Sequence, residues 1–507
     1  MNKKMKILLI NSPNYFLKFN PNRQFSYGRF GCSDPIPYEL GGRTATAVKD
    51  HYVPYPWSLG YASALLKRET DHKIKAVDAQ AKDFSEKDFI AEVKKFNPDI
   101  IIAELPTISF SLCMDLLVQL KKKQSFILIV TGLHASGIPE EVMQEYPFID
   151  LIIKGDYALS LLEYLKKGKP SRSISNLIFR QGRKIVSTPF VSPTVDFDWM
   201  PYPDREELPV TDYHDFEIAG KPTVHIVTSR GCPFTCSYCN ARVFWNKGFY
   251  WKRSVKSVVD EIEYVQKKYG ARQIYFDDDI MTHDQERMVK FAKEIIKRNL
   301  RIPWTFMGDI NISEKLMKLL VKAGAKGLKF GVESINPEAL KDIKKAWITK
   351  EKVEAFVKMC KKYNLWVHGD FIVGLPKDTR ETIEEMLKFA VQLDLDTAQI
   401  YSAQPLPGTP FYFQAKEKGW LVAKKWTDYD GNYISPVSYP WFSKKEIEEM
   451  LCEFKQKWEH EAAKQYLKNP WKLIRYIKGR GFSYTVKKIK TIAKKWFTKE
   501  HIFVAGT

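Results

Sequence analysis

Three of the seven cysteines lie within eight residues, in Ser229-Arg230-Gly231-Cys232-Pro233-Phe234-Thr235-Cys236-Ser237-Tyr238-Cys239-Asn240, a C-x-x-x-C-x-x-C spacing. An odd cysteine count with one tight cluster does not read as a disulfide framework, and in a reducing compartment the cluster points to a metal. Three thiolates on one loop hold three irons of a cubane whose thiolate ligands are normally four. The fourth iron is then open to a small ligand, which means chemistry rather than electron storage. Zinc is the rival, but it wants four ligands and no further Cys or His follows at finger spacing. Cys32, Cys113, Cys360 and Cys452 are isolated and read as buried small apolar residues.

A loop of this kind needs a scaffold, and the sequence around it alternates strands and helices. From Pro222 to about Leu406 the apolar runs Thr223–Thr228, Gln273–Phe276, Trp304–Met307, Gly327–Gly331, Val367–Val373 and Ala398–Tyr401 are expected strands, with amphipathic helices between them. Six such units make a partial barrel (222–410), whose active site by analogy with the full barrel lies at the carboxyl ends of the strands. Residues 1–170 show the same alternation and are expected to form a Rossmann-like, doubly wound parallel sheet, so the fold class is α/β. Its strand ends carry Thr107, the turn Thr131-Gly132-Leu133-His134-Ala135-Ser136, and Lys154-Gly155-Asp156. Ligands of such sheets bind at that edge. Residues 14–58 form an aromatic-rich loop too long to be structureless, expected to be an ordered lid or substrate wall. Residues 171–221 read as a connector containing a possible hairpin, and 411–507 as a helical region.

The chain has 507 residues, 44% of them hydrophobic and 28% charged, which excludes disorder and fibre. No apolar run is long enough for a membrane helix and no signal peptide is evident, so a cytoplasmic location is expected. The net charge is +20, yet twelve basic residues and no acidic one fall in 464–499, well over half of it. Aromatic and aliphatic residues interleave with them, the pattern of a helix lying on an anionic membrane surface. A solvated helical tail or an RNA-binding segment would share this composition.

On the cysteine spacing and the barrel, the chain resembles the radical S-adenosylmethionine (SAM) enzymes. The resemblance implies a 4Fe-4S cluster on Cys232, Cys236 and Cys239, and SAM chelating the open iron. One-electron cleavage then gives a 5′-deoxyadenosyl radical, with a reductant such as flavodoxin or ferredoxin as partner. By position, Tyr238 is expected near the adenine. Glu333 in Gly331-Val332-Glu333-Ser334 is expected to contact SAM, and so is the segment Gly369 to Pro376, with Gly369, Ile372 and Gly374. Phe276-Asp277-Asp278-Asp279 stands where relatives carry an acidic pair, and Asp278 is the expected catalytic carboxylate. A helix cap with solvated charge is its alternative. The N-terminal domain resembles the cobalamin-binding domain of the large cobalamin-dependent class. That implies contacts from Thr107, Gly132, His134 and Ser136, with His134 orienting its loop rather than ligating cobalt.

Tyr55-Pro56-Trp57, Pro407-Gly408-Thr409, Gly419-Trp420-Leu421 and Ser438-Tyr439-Pro440 are similar to the hopanoid-biosynthesis type. This implies a lipid or its sugar head group as substrate, altered by rearrangement, ring formation or cobalamin-dependent methylation. An RNA-modifying iron-sulfur protein, or a radical SAM enzyme acting on a peptide or secondary metabolite, are the competing functions. No second cysteine set or RNA-binding end domain supports the former, so nucleic acid is not an expected partner.

Overall fold

A computed structural model describes residues 53–468 except 83, 193–195, 214–217 and 247, together with 4–11, 13, 16–20, 23–26, 36–38, 470, 473, 474 and 477. Most of the aromatic loop 14–58 and most of the basic segment 464–499 lie outside the described residues. Within that loop, 16–20, 23–26 and 36–38 pair as a small antiparallel sheet.

The N-terminal sheet contains β1 (Lys6–Asn11), β2 (Lys73–Val77), β3 (Ile100–Glu104), β4 (Ile127–Thr131), β5 (Leu151–Ile153), β6 (Leu177–Gln181) and β7 (Lys184–Ser187), in the order β7-β6-β5-β4-β3-β1-β2. β1 to β5 are parallel, as expected. The hairpin assigned to the connector does form, but it extends this sheet as two antiparallel strands, with Leu151 opposite Phe179. Strand alternation sorts the side chains into two cores, as a doubly wound sheet requires. Ile7, Leu9, Ile100 and Ile102 pack with α1 (Trp57–Glu69) on one face. Leu8, Ile10, Ile101 and Ala103 pack with α2 (Glu86–Phe96) and α3 (Phe110–Lys121) on the other. The turns at the carboxyl edge lead into α4 (Leu133–Gly137), α5 (Pro139–Glu145) and α6 (Ala158–Lys167).

After the sheet the chain is strapped to both halves. Asp204 accepts from Ser63 of α1 at 2.7 Å, and the next residue, Arg205, donates to Glu261 at 2.7 Å and to the His225 carbonyl at 2.8 Å. Glu261 also pairs with Arg253, so this buried carboxylate answers two guanidinium groups.

The six expected barrel strands are all present, within a few residues of the expected ends: β8 (Thr223–Ile226), β9 (Gln273–Phe276), β10 (Trp304–Met307), β11 (Ala325–Glu333), β12 (Trp366–Val373) and β13 (Thr397–Ser402). They are parallel and in sequence order. The connecting helices are α7 (Ala241–Phe244) with α8 (Val255–Tyr269), then α9 (Gln285–Lys297), α10 (Glu314–Lys322), α11 (Pro337–Asp342) with α12 (Lys350–Lys362), and α13 (Arg380–Gln392). Their apolar stripes bury Val258, Ile262, Phe291, Met317, Phe356 and Met386 against the strands. α14 (Pro410–Glu417) and α15 (Lys444–Lys468) complete the described chain, and no described helix is long and apolar enough to cross a membrane.

Candidate active site at the mouth of the partial barrel

The cysteine loop leaves the end of β8 through Ser229 and Arg230, which pair antiparallel with Trp251 and Lys252. Gly231 then takes φ 85°, and a Cβ there would overlap the Phe249 carbonyl, so the turn into Cys232 requires glycine. Three backbone clips hold the rest. Gly231 N–H donates to Asp279 at 3.1 Å, Ser237 N–H to the Ile343 carbonyl at 3.0 Å, and Phe411 N–H to the Ser237 carbonyl at 3.0 Å. Cys232, Cys236 and Cys239 all line one cavity of about 270 Å³. Among the described residues no three Cys, His, Asp or Glu side chains converge on one ion position. Burial pushes all three thiols up, Cys232 to about 12, so they are protonated in the metal-free chain and release protons on loading.

Across the cavity stands an ion pair. Lys345 Nζ lies 2.8 Å from Glu333 Oε1 and 2.9 Å from the Gly331 carbonyl, and both side chains are largely buried. Burial works against the lysine charge, but Glu333 outweighs it and holds the ammonium above the usual lysine range. Glu333 sits at a register shift between β11 and β12 with φ 62°, a left-handed conformation that costs a non-glycine residue energy. Its side chain folds back over Gly331, where any Cβ would collide with it. Among the described residues Glu333 Oε2, which is buried, has no hydrogen-bond partner. A stretch of cavity wall on which the Glu333 carboxylate and the Lys345 ammonium lie side by side suits the zwitterionic end of an amino acid.

The other expected residues divide. Tyr238, Glu333 and Ile372 line the cavity. Gly369 and Gly374 do not: Gly369 backs onto Leu395, and Gly374, at φ 85°, faces Ile447. Asp278, the expected catalytic carboxylate, does not line the cavity. It is buried behind the strand ends, where it accepts from Thr228 N–H at 3.2 Å and Thr228 Oγ1 at 2.9 Å and also from the backbone and hydroxyl of Ser229. Its neighbour Asp279 is the carboxylate at the cavity, pushed up to about 6 by burial. Asp277, on the other side, approaches His225 at 3.6 Å. Past the end of β9 the chain no longer alternates faces, so neighbouring aspartates that look equivalent in sequence take three different surroundings.

Lys345 was not visible in the sequence, because nothing in its spacing from Glu333 announces the loop after α11 that turns it back. Asp370, which also lines the cavity and is 3.2 Å from His368 Nε2, and Gln404, whose buried Oε1 has no partner, were likewise missed.

None of the N-terminal edge residues lines this cavity. Gly132, at φ 106°, lets the turn pass over β3, where a Cβ would lie 2.6 Å from the Leu105 oxygen. Ser136 Oγ donates to the Gly132 carbonyl at 2.7 Å and accepts from Gly155 N–H at 2.9 Å, fastening two turns together. Thr107 is buried, and its carbonyl accepts from Phe110 N–H at the start of α3. The His134 ring lies between Phe110, at 4.0 Å, and Trp426, at 4.4 Å, and burial pushes its basicity down to about 3. The imidazole is 1% exposed, and among the described residues its Nδ1 has no hydrogen-bond partner.

The Radical SAM superfamily profile matches residues 226–390. An uncharacterized methyltransferase of Pyrococcus horikoshii is 30% identical over 403 residues, 78% of this chain and 86% of its own. An anaerobic magnesium-protoporphyrin IX monomethyl ester cyclase of Cereibacter sphaeroides is 27% identical over 400 residues, and the match spans 76% of this chain but 64% of that protein's length. Among solved structures, the radical SAM methyltransferase TsrM from Kitasatospora setae, with cobalamin and a 4Fe-4S cluster bound, superposes with a TM-score of 0.62 at 18% identity, covering 83% of this chain and 79% of that one. That likeness is one of fold: an N-terminal sheet beside a partial barrel.

Proposed function

Since this chain belongs to the radical SAM superfamily, we propose that it is a cobalamin-dependent methyltransferase of that superfamily acting on a small organic substrate. The observation that carries the reading is one cavity shared by the three thiols and the Glu333–Lys345 pair. The methyltransferase name of the Pyrococcus relative and the cobalamin held by the structural neighbour support the rest. When bound, the cluster with SAM supplies one-electron cleavage to a carbon radical, and a corrin supplies methyl carriage. Cys232, Cys236 and Cys239 would each hold one iron. Glu333 Oε2 would accept from the SAM amino group, and Lys345 would pair with its carboxylate. Asp279 adds a second carboxylate beside the cysteines, and Tyr238 and Ile372 form the apolar wall for the adenine. Thr107, Gly132 and Ser136 stand on the turns that would hold the corrin, and His134 braces them.

The narrower reading, a lipid or its sugar head group as substrate, rests on the short matches to the hopanoid type and on the basic tail. A flavodoxin or ferredoxin serves as reductant. Anaerobic reconstitution with iron, sulfide and hydroxocobalamin, followed by desalting and metal counting, tests the assignment. About four irons and one cobalt per chain are expected. Turnover with substrate is expected to give both 5′-deoxyadenosine and S-adenosylhomocysteine. 5′-Deoxyadenosine without S-adenosylhomocysteine would replace methylation by rearrangement or ring formation, and iron without cobalt would remove the corrin.

A further inference from the structure

Arg230 stands two residues before the first cysteine, yet its side chain turns away from the cavity. The guanidinium is 1% exposed and pairs with Asp156, itself 7% exposed, at the end of β5 in the N-terminal sheet. Trp57, Tyr61, Phe197, Trp245 and Trp251 surround it, with ring centres 4.3 to 6.0 Å from the guanidinium carbon. The far end of the loop rests on the same place. Gly155, beside Asp156, takes φ 64°, and a Cβ there would lie 2.5 Å from the Phe244 carbonyl in α7. Trp245 stacks on Trp57 at 5.5 Å and 11°. The segment from 230 to 245 is thus gripped at both ends by the N-terminal domain, while its thiols face the barrel cavity.

We infer that Asp156 and Arg230 are positioning residues: through their buried pair the N-terminal sheet sets the register of the cysteine loop, and so the spacing at which Cys232, Cys236 and Cys239 meet the cluster. The inference rests on the cluster reading above. A buried pair that loses one partner leaves an uncompensated charge, so the two halves resist separation. The planar cation is fixed in one orientation by the ring faces around it, which a point charge such as lysine does not reproduce. Ser136 completes the grip, since its hydroxyl holds the Gly155 amide.

The experiment compares full-length wild type with D156N, D156E and W57L. In the metal-free chain, iodoacetamide labelling rates are read at each cysteine by peptide mass spectrometry, with the fully buried Cys113 and Cys360 as internal reporters of global opening. In the loaded chain, the electron paramagnetic resonance spectrum of the reduced cluster is recorded with and without SAM. D156N is expected to label Cys232, Cys236 and Cys239 roughly tenfold faster with Cys113 and Cys360 unchanged. Its cluster spectrum broadens, and the change on adding SAM shrinks. D156E restores part of both. W57L, which removes both the stack on Trp245 and one of the rings around Arg230, speeds labelling of the three loop cysteines with Cys113 and Cys360 unchanged, and carries the test if D156N does not fold. Wild-type labelling rates and spectrum in folded D156N overturn the inference, as does labelling that rises equally at all five cysteines. A wild type that takes up no iron would sink the cluster reading instead, and the metal-free labelling would still decide the positioning role.

Discussion

Glu333 shows how function and stability separate at one residue. Its left-handed backbone costs roughly 1 kcal/mol for any side chain with a Cβ. Glu333→Gly is therefore expected to melt higher than Glu333→Ala, by the equivalent of about 1 kcal/mol. Both lose the carboxylate, and equilibrium dialysis is expected to show SAM affinity falling roughly tenfold to a hundredfold in each, the value of a charge-assisted hydrogen bond. SAM affinity equal to that of wild type in both variants would assign the carboxylate a structural role. The aspartates behave in the opposite sense. Asp278→Ala strands the Thr228 and Ser229 donors and is expected to cost about 2–4 kcal/mol by chemical denaturation. Asp279→Asn removes a charge that burial disfavours, so it does not lower the melting temperature at pH 7.5, while SAM binding weakens. The cysteines were legible because ligands within one loop are encoded by local spacing. The choice between Asp278 and Asp279 was not, since it depends on how the backbone turns after β9.

At the scale of elements, the junction of β12 and α13 carries a pH dependence. Asp378 accepts from Leu375 N–H at 2.9 Å, and burial pushes its carboxyl up to about 7. Below about pH 4 the group is neutral in both folded and unfolded chains. Between about 4 and 7 the unfolded chain ionises while the folded one does not, so stability present in acid is lost as the pH rises through this window. Asp378→Asn is expected to remove that loss. Its stability advantage over wild type is small at pH 4 and grows to about 2–4 kcal/mol at pH 7.5, as measured by urea unfolding at each pH. Equal advantage at both pH values would mean the carboxyl ionises normally in the folded chain. The barrel strands were legible nearly to the residue, because each is a short apolar run bounded by turns. The hairpin 177–187 was legible as a hairpin but not as part of the sheet. Its pairing with β5 is non-local, and nothing within the segment specifies its neighbour.

For the whole molecule, the charge distribution poses a simple question. The basic run 464–499 carries most of the net charge and lies mostly outside the described residues. If it contacts membranes, full-length protein floats with vesicles containing anionic lipid and a 1–463 chain does not, and 0.5 M salt releases the bound fraction. Identical behaviour of the two chains would remove both the membrane contact and the strongest support for a lipid substrate. That the two halves stand side by side was legible from the alternation of elements. That they share the buried Arg230–Asp156 pair was not, because the partners are far apart in sequence and neither is unusual in its own segment.

The same pair has a consequence for biosynthesis. Chains are made from the amino end, and domains fold largely as units as they emerge. The N-terminal sheet ends at Ser187, and Asp156, Trp57, Tyr61 and Phe197 all precede Cys232, so this part of the surface onto which Arg230 docks is made before the cysteines are, and Trp245 and Trp251 close over it afterwards. The cysteine loop is laid onto a template already begun, and its thiols are shielded soon after they appear. A circular permutant starting at 222 would reverse this order, exposing three bare thiols to oxidation until the rest of the chain arrived.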